Sequence, residues 1–122
     1  MLQHAQAKPH EECCGLLAGR DGAITRALCA VNVAQRPSVS YEIAPEELFR
    51  LMREIRAAGL GMLGIYHSHP DGENLPSPRD LERAFYPEAA YFIVSPRADA
   101  SQPLRAFSIR DARATEVTIE LV

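Results

Sequence analysis

Apolar residues in this chain follow two different rhythms, and the switches between them mark out its elements. From Pro45 to Ala58 they fall at Leu48, Leu51, Met52, Ile55 and Ala58, the i, i+3, i+4, i+7 spacing of one helical face. Pro45 suits a first helical turn, where its missing N–H costs nothing, and Gly59 or Gly61 ends the helix. Met62 to Tyr66 is almost wholly apolar, as a strand covered on both faces reads. Two further apolar runs, Cys13–Ala18 and Ile24–Val33, flank the turn-type cluster Gly19-Arg20-Asp21-Gly22 and predict a hairpin. Ser38–Ile43 reads as a short strand leading to Pro45. Residues 1–8 read as a short helix with Leu2, Ala5 and Ala7 as its weak apolar side, ended by Pro9.

Downstream, Asp71–Pro76 is loop by composition. Ser77–Phe85 predicts a second helix, with Ser77 as N-cap, Pro78 at the first helical position, and Leu81, Ala84 and Phe85 on its buried side. Ala90–Ser95 and Leu104–Ile109 read as buried strands. Thr115–Val122 alternates, Val117, Ile119 and Leu121 against Thr118 and Glu120, after a turn at Asp111-Ala112-Arg113. The order β-β-α-β-α-β-β-β implies an α/β (α+β) domain, a mixed β-sheet with packed helices, spanning residues 1–122 as one unit.

Composition narrows the function classes. At 122 residues the chain can bury its own core. Its net charge is −3 and Lys8 is its one lysine, so nucleic-acid binding lacks an electrostatic footprint. A neutral or basic partner face fits better than a polyanion. No apolar run approaches a membrane span, and the N-terminus lacks the charged and apolar regions of a signal peptide. The three cysteines are odd in number and two are adjacent, which reads as reduced thiols in a cytoplasmic protein, with Cys14 and Cys29 as small buried hydrophobes.

The chemistry concentrates in Tyr66-His67-Ser68-His69-Pro70 and, after a gap, Ser77-Pro78-Arg79-Asp80. A random chain of this composition would carry His-x-His-x7-Ser-x2-Asp with a probability of roughly 3 in 10,000, so the pattern calls for a cause. Residues two apart on a strand project to the same side, so His67 and His69 can converge on one metal ion. Two imidazoles and the carboxylate of Asp80 are the N/O set of a catalytic zinc site with a fourth position left for water. Each part also has a plainer reading. Ser77 with an acid three residues on is a good helix cap by itself, and a single histidine is more often a hydrogen-bonded one. The joint spacing outweighs these readings, and Ser77 can serve both as cap and as ligand contact. Hydrolysis needs a base that is not a metal ligand. Glu12 opens a strand that could lie beside the histidine strand, whereas Glu11 would face the other way. His4 and His10 have no partner pattern and read as exposed.

Glu12-x-Cys14-Gly15-Leu16-Leu17, His67-Ser68-His69-Pro70 and Pro76-Ser77-x-x-Asp80 together resemble the motif of the JAMM (MPN+) metalloprotease family. The likeness extends over about residues 1 to 109, and every chemical position of the motif is filled. It implies a cytidine-deaminase-like fold and one Zn2+ bound by His67, His69 and Asp80. By the same likeness Glu12 would be the acid/base and Ser77 would help stabilise the oxyanion. The chain starts inside what is usually the family's first helix, without its leading strand. Its short connections leave no room for the long insertions of eukaryotic deubiquitinases, so a standalone bacterial-type peptidase is the better likeness. Such peptidases act after the C-terminal Gly-Gly of a ubiquitin-like or sulfur-carrier protein, for instance releasing cysteine. A groove between the Asp71–Pro76 loop and Ser38–Ile43 could take that tail as an added strand. A non-catalytic MPN-type interaction module is the alternative. A nucleobase deaminase would need a Cys-x-x-Cys, which is missing. A homodimer is compatible with this reading.

Overall fold

The structure, a computed structural model, describes residues 1–121. A short helix, α1 (Leu2–Ala7), precedes a hairpin of β1 (Cys14–Arg20) and β2 (Ala23–Ala30). Next come α2 (Pro45–Ala57), β3 (Gly61–Ser68), α3 (Pro78–Glu82), β4 (Ala90–Val94), β5 (Leu104–Arg110) and β6 (Arg113–Val117). The strands form one mixed sheet in the order β2-β1-β3-β4-β5-β6, with β3 and β4 parallel and every other pair antiparallel. The mixed α+β architecture read from the sequence is the one found.

Period-two alternation sorts the central strands into two cores. Leu16, Ile65, Tyr91, Ile93, Phe107 and Ile109 face one side, where Leu51 and Ile55 of α2 cover them. Leu17, Tyr66, Phe92, Val94 and Ala106 face the other, where Ala5 of α1 covers them. A central strand buried on both faces cannot alternate apolar with polar, which is why β1 and β3 read as continuous runs. Gly15 is required here: a Cβ at that position would collide with the Leu28 carbonyl and the Tyr66 ring.

Helix α2 ends as its sequence dictates. Gly59 takes the left-handed conformation (φ 74°), and the Leu60 and Gly59 N–H groups close on the Ile55 and Arg56 carbonyls at 3.1 and 3.0 Å, a Schellman closure. The hairpin turns also need positive φ, at Asp21 and Gly22 and again at Asp111 and Ala112.

Several expectations fail for identifiable reasons. Ser38–Ile43 is a turn-rich segment rather than a strand, and only Ile43 makes a bridge, to Asn32. Asn32 replaces the missing ladder. Its amide donates to the Glu12 and Ser40 carbonyls, and its side-chain oxygen accepts from the Ala34 and Glu42 N–H groups. Helix α3 has five residues, not nine, and Phe85 is 71% exposed beyond its end. Strand β6 stops at Val117, and no residue of it is buried, because it is a sheet edge with no layer over it. Ile119 and Leu121 are likewise exposed, and the final residue of the expected strand, Val122, lies outside the described residues. In α1, Ala5 is buried but Leu2 and Ala7 are exposed. Cys29 is exposed on the edge strand β2, whereas Cys13 and Cys14 are buried, and all three thiols are free. Burial pushes the Cys14 thiol up to about 12, so it stays protonated and inert. No helix among the described residues is long and apolar enough to cross a membrane.

Candidate metal centre

His67 lies within β3, and His69 follows directly after its end. The ladder fixes both. Cys14 pairs with His67 across β1–β3, the Ser68 N–H donates to the Cys13 carbonyl at 3.0 Å, and the His69 N–H donates to the Val94 carbonyl at 2.9 Å. As residues i and i+2, the two imidazoles project to the Ile65 face. The Tyr41 ring stacks on His67 at 4.5 Å between centroids, which fixes the plane of that imidazole.

Asp80 arrives from the other side, at the third position of α3. Its N–H donates to the Ser77 hydroxyl at 3.1 Å, and its Oδ2 accepts from the Ser77 N–H at 2.9 Å, a capping box. The structure thus brings together the three side chains the motif singled out. His67 Nε2 and His69 Nε2 are 3.1 Å apart, and they lie 3.2 and 3.1 Å from Asp80 Oδ2.

Protons alone do not account for this triangle. Burial would raise the Asp80 pKa, but hydrogen bonds from both imidazoles outweigh it and hold the carboxyl well below the ordinary carboxylate range. With Asp80 ionised, no placement of protons makes all three contacts hydrogen bonds. If both ring nitrogens are protonated, they meet as two donors. If one is bare, it meets the carboxylate lone pair to lone pair. A cation among the three atoms satisfies them all. Zinc bonds of 2.0–2.1 Å imply a tetrahedral edge of about 3.3 Å, close to the sides of this triangle. The donor set and its spacing fit a divalent metal.

The ring orientations agree. His69 Nδ1 is 2.9 Å from the Glu73 carbonyl, so Nδ1 carries the proton and Nε2 is left to face Asp80. Burial would lower the His69 pKa, but the Asp80 and Glu73 contacts outweigh it and raise it. His67 is driven the opposite way, chiefly by burial, and its Nδ1 is buried with no partner.

Glu12 stands two residues before β1, 6% exposed, while Glu11 is exposed. Its backbone is pinned on both sides: its N–H donates to the Pro37 carbonyl at 2.7 Å and its carbonyl accepts from Asn32 at 2.8 Å. The side chain is not tied down. Glu12 Oε1 is buried without a hydrogen-bond partner, and a carboxylate oxygen lies within 4.8 Å of a ring nitrogen of each histidine. That distance alone would let Glu12 compete as a ligand. Asp80 is the better third donor, since its oxygen already sits at ligand–ligand spacing from both rings. Burial pushes the Glu12 carboxyl up to about 7.

A cavity of about 230 Å³ adjoins Asp80 and Tyr41, with Leu16, Ile65 and Tyr91 among its lining. It lies between residues 40–43 and α3 with the chain that follows it, not beside the Asp71–Pro76 loop as expected. The loop is instead drawn in under His69 by the Glu73 carbonyl.

The family model for prokaryotic homologs of the JAB domain matches residues 1–110. The chain belongs to that family. The Haloferax volcanii protein named desampylase is 42% identical over 102 residues, 79% of this chain and 73% of that protein. The CysO-cysteine peptidase of Mycobacterium tuberculosis is 33% identical over 124 residues, 100% of this chain and 84% of that one. The solved structure of a protein from Desulfitobacterium hafniense shares 34% identity with a TM-score of 0.84, covering 100% of this chain and 86% of its own.

In this JAB-family chain, the sequence pattern missed the residues that hold the site's backbone. Ser68 is fully buried and its hydroxyl accepts from the Cys13 N–H at 2.8 Å, tying the start of β1 to the end of β3. Tyr41, Asn32 and Asn74 act at a distance in sequence, and nothing in local periodicity points to them. His4 is not simply exposed: its Nδ1 lies 2.8 Å from the Tyr66 hydroxyl, on the sheet face away from the metal centre. His10 is exposed as expected.

Proposed function

We propose that the chain is a zinc-dependent peptidase that cleaves after the C-terminal Gly-Gly of a ubiquitin-like or sulfur-carrier protein, releasing cysteine or another amine. The observation that carries this reading is the triangle of His67, His69 and Asp80 with an unpartnered Glu12 carboxylate beside it. His67, His69 and Asp80 would hold the ion. Zinc bound there would supply Lewis acidity and bring the pKa of a water toward neutrality.

Glu12 then takes a proton from the attacking water and passes it to the leaving amine. Burial raises that carboxyl to about 7 in the metal-free chain, which opposes the lowering a bound cation would bring and keeps it able to serve both halves of the transfer. Because Oε1 has no partner, no bond must break before it accepts. The Ser77 oxygen accepts from the Asp80 N–H, which leaves its own hydroxyl proton free to donate to the oxyanion. The cavity beside Asp80 takes the carrier's tail. The relatives' names support a carrier-conjugate substrate: one is a desampylase, the other a CysO-cysteine peptidase.

The test is cleavage of a carrier–cysteine adduct by purified, zinc-loaded protein, read by mass spectrometry. Cysteine release that stops on chelation is expected, as is Glu12→Ala protein that keeps zinc and does not cleave. Cleavage by Glu12→Ala at the wild-type rate would overturn the catalytic reading. Equal rates on a carrier ending in bulky residues would overturn the Gly-Gly reading.

A further inference from the structure

Asn74 is a polar side chain buried in a loop, 8% exposed, and the mechanism does not use it. Its amide nitrogen donates to the Gln102 carbonyl at 2.7 Å and to the Ile93 carbonyl at 3.4 Å. Both partners are acceptors, which fixes which end of the amide faces inward. These bonds tie the 71–76 loop to β4 and to the chain leading into β5. One residue before Asn74 is the Glu73 carbonyl, the acceptor for His69 Nδ1–H at 2.9 Å. Two residues before it, Gly72 takes φ 86°, the left-handed conformation that turns the loop back toward His69. A carbonyl in a surface turn would not hold one position unless the loop were anchored. Asn74 is the buried anchor on that short segment.

We infer that Asn74 is a positioning residue for the metal centre: by clamping the loop it holds the Glu73 carbonyl on His69 Nδ1 and so fixes the tautomer that presents Nε2. The inference rests on the metal-site reading above, but it concerns His69 rather than the substrate. Outer partners of this kind orient a histidine ligand, and their loss weakens metal binding by about 10- to 100-fold. His67 has no such partner, since its Nδ1 is unpaired and its ring is set by Tyr41. The two histidines therefore differ in what a single distant substitution can disturb.

The test uses the whole chain. Side-chain nitrogen NMR of the zinc-loaded wild type should show His69 bound through Nε2 with its proton fixed on Nδ1. Asn74→Asp keeps the side chain's shape and removes both donors; Asn74→Ala removes shape and donors together. Both should weaken the His69 Nδ1–H hydrogen bond, seen as a shifted and broadened Nδ1–H signal with His67 unchanged, and zinc affinity in chelator competition should fall about 10- to 100-fold. Variants that melt earlier but keep the wild-type Nδ1–H signal and zinc affinity would show Asn74 to be merely structural and overturn the inference. So would zinc-loaded wild-type His69 bound through Nδ1, a result that decides even if neither variant folds. Wild type that bound no zinc would overturn the metal reading and this inference with it, whereas tight zinc binding with variants unchanged would overturn the inference alone.

Discussion

Glu12 and His67 stand where β1 and β3 run side by side, whereas Asp80 is delivered by a five-residue helix at the end of a loop. The strand side is set by register. Cys14 opposes His67, and sliding either strand by one residue would turn the imidazoles to the wrong face. The loop side is set by individual bonds: the Ser77–Asp80 box, the Glu73 carbonyl and the Asn74 clamp. A five-residue helix is far below the length that is stable by itself, so α3 depends on its cap and on packing of Leu81 and Ala84 against the core. Damage to His67, inside the paired strand, should therefore cost fold and function together. Damage on the loop side should cost metal affinity while most of the fold survives.

The sharpest break is expected at Glu12. Glu12→Gln preserves shape and removes the base, and cleavage should fall about 10²- to 10⁴-fold with zinc retained. Steady-state rates together with a metal assay measure both. The next largest effect compares the two sides directly. His67→Ala empties a fully buried site on the strand side and should destabilise the metal-free protein by about 3 kcal/mol. Asp80→Ala should cost only about 1 kcal/mol, the scale of a lost cap. Both should abolish zinc binding. Denaturant melts with and without metal would separate them, and equal destabilisation would erase the distinction between strand side and loop side.

A third effect is pH-dependent. Burial raises Glu12 from 4.5 to about 7 in the folded chain. The folded state therefore holds that proton more tightly than the unfolded state does. The resulting stability is present below about 4.5 and is lost as pH rises through about 7. Glu12→Gln should thus raise the stability of the metal-free protein above neutral pH by about 2 kcal/mol, discounted for partial solvation, and leave it unchanged in acid. Melting curves across the range check this. In the zinc-loaded protein the cation lowers that carboxyl, so wild-type cleavage should rise with pH as the carboxylate forms, at a midpoint below the metal-free value of about 7.

These differences also explain what was legible in the sequence. Central strands and α2 carry their own signals, continuous apolar runs and a 3.6-residue period, and they lie where those signals predict. The His-x-His pair was readable because strand geometry converts spacing directly into direction. Phe85 and the 118–121 tail misled because an apolar residue announces burial only if another layer covers it, and among the described residues none does. Ser38–Ile43 misled because Asn32, a single side chain, satisfies the backbone groups that a strand partner would have taken. Asn74 and Tyr41 could not have been found from spacing, since their partners lie elsewhere in the chain and meet them only after the sheet forms.

The most local test falls on Ser77, where two roles meet in one hydroxyl. As a cap, its oxygen accepts the Asp80 N–H, and Ser77→Ala should cost about 1 kcal/mol of stability. Asp80 would still receive the backbone N–H of residue 77 at its Oδ2, so the carboxylate should stay near the histidines and zinc affinity should fall only slightly. If capping were the whole role, saturating zinc would restore the wild-type kcat. If the hydroxyl also donates to the oxyanion, kcat should stay about 10²-fold low however much zinc is added, as happens when one such donor is removed. The second outcome is expected, because the cap uses the oxygen's lone pair and leaves its proton for the substrate. Ser77→Thr keeps both functions and should recover stability and kcat together. Recovery of stability without kcat would place the difference in the aim of the hydroxyl rather than in the helix.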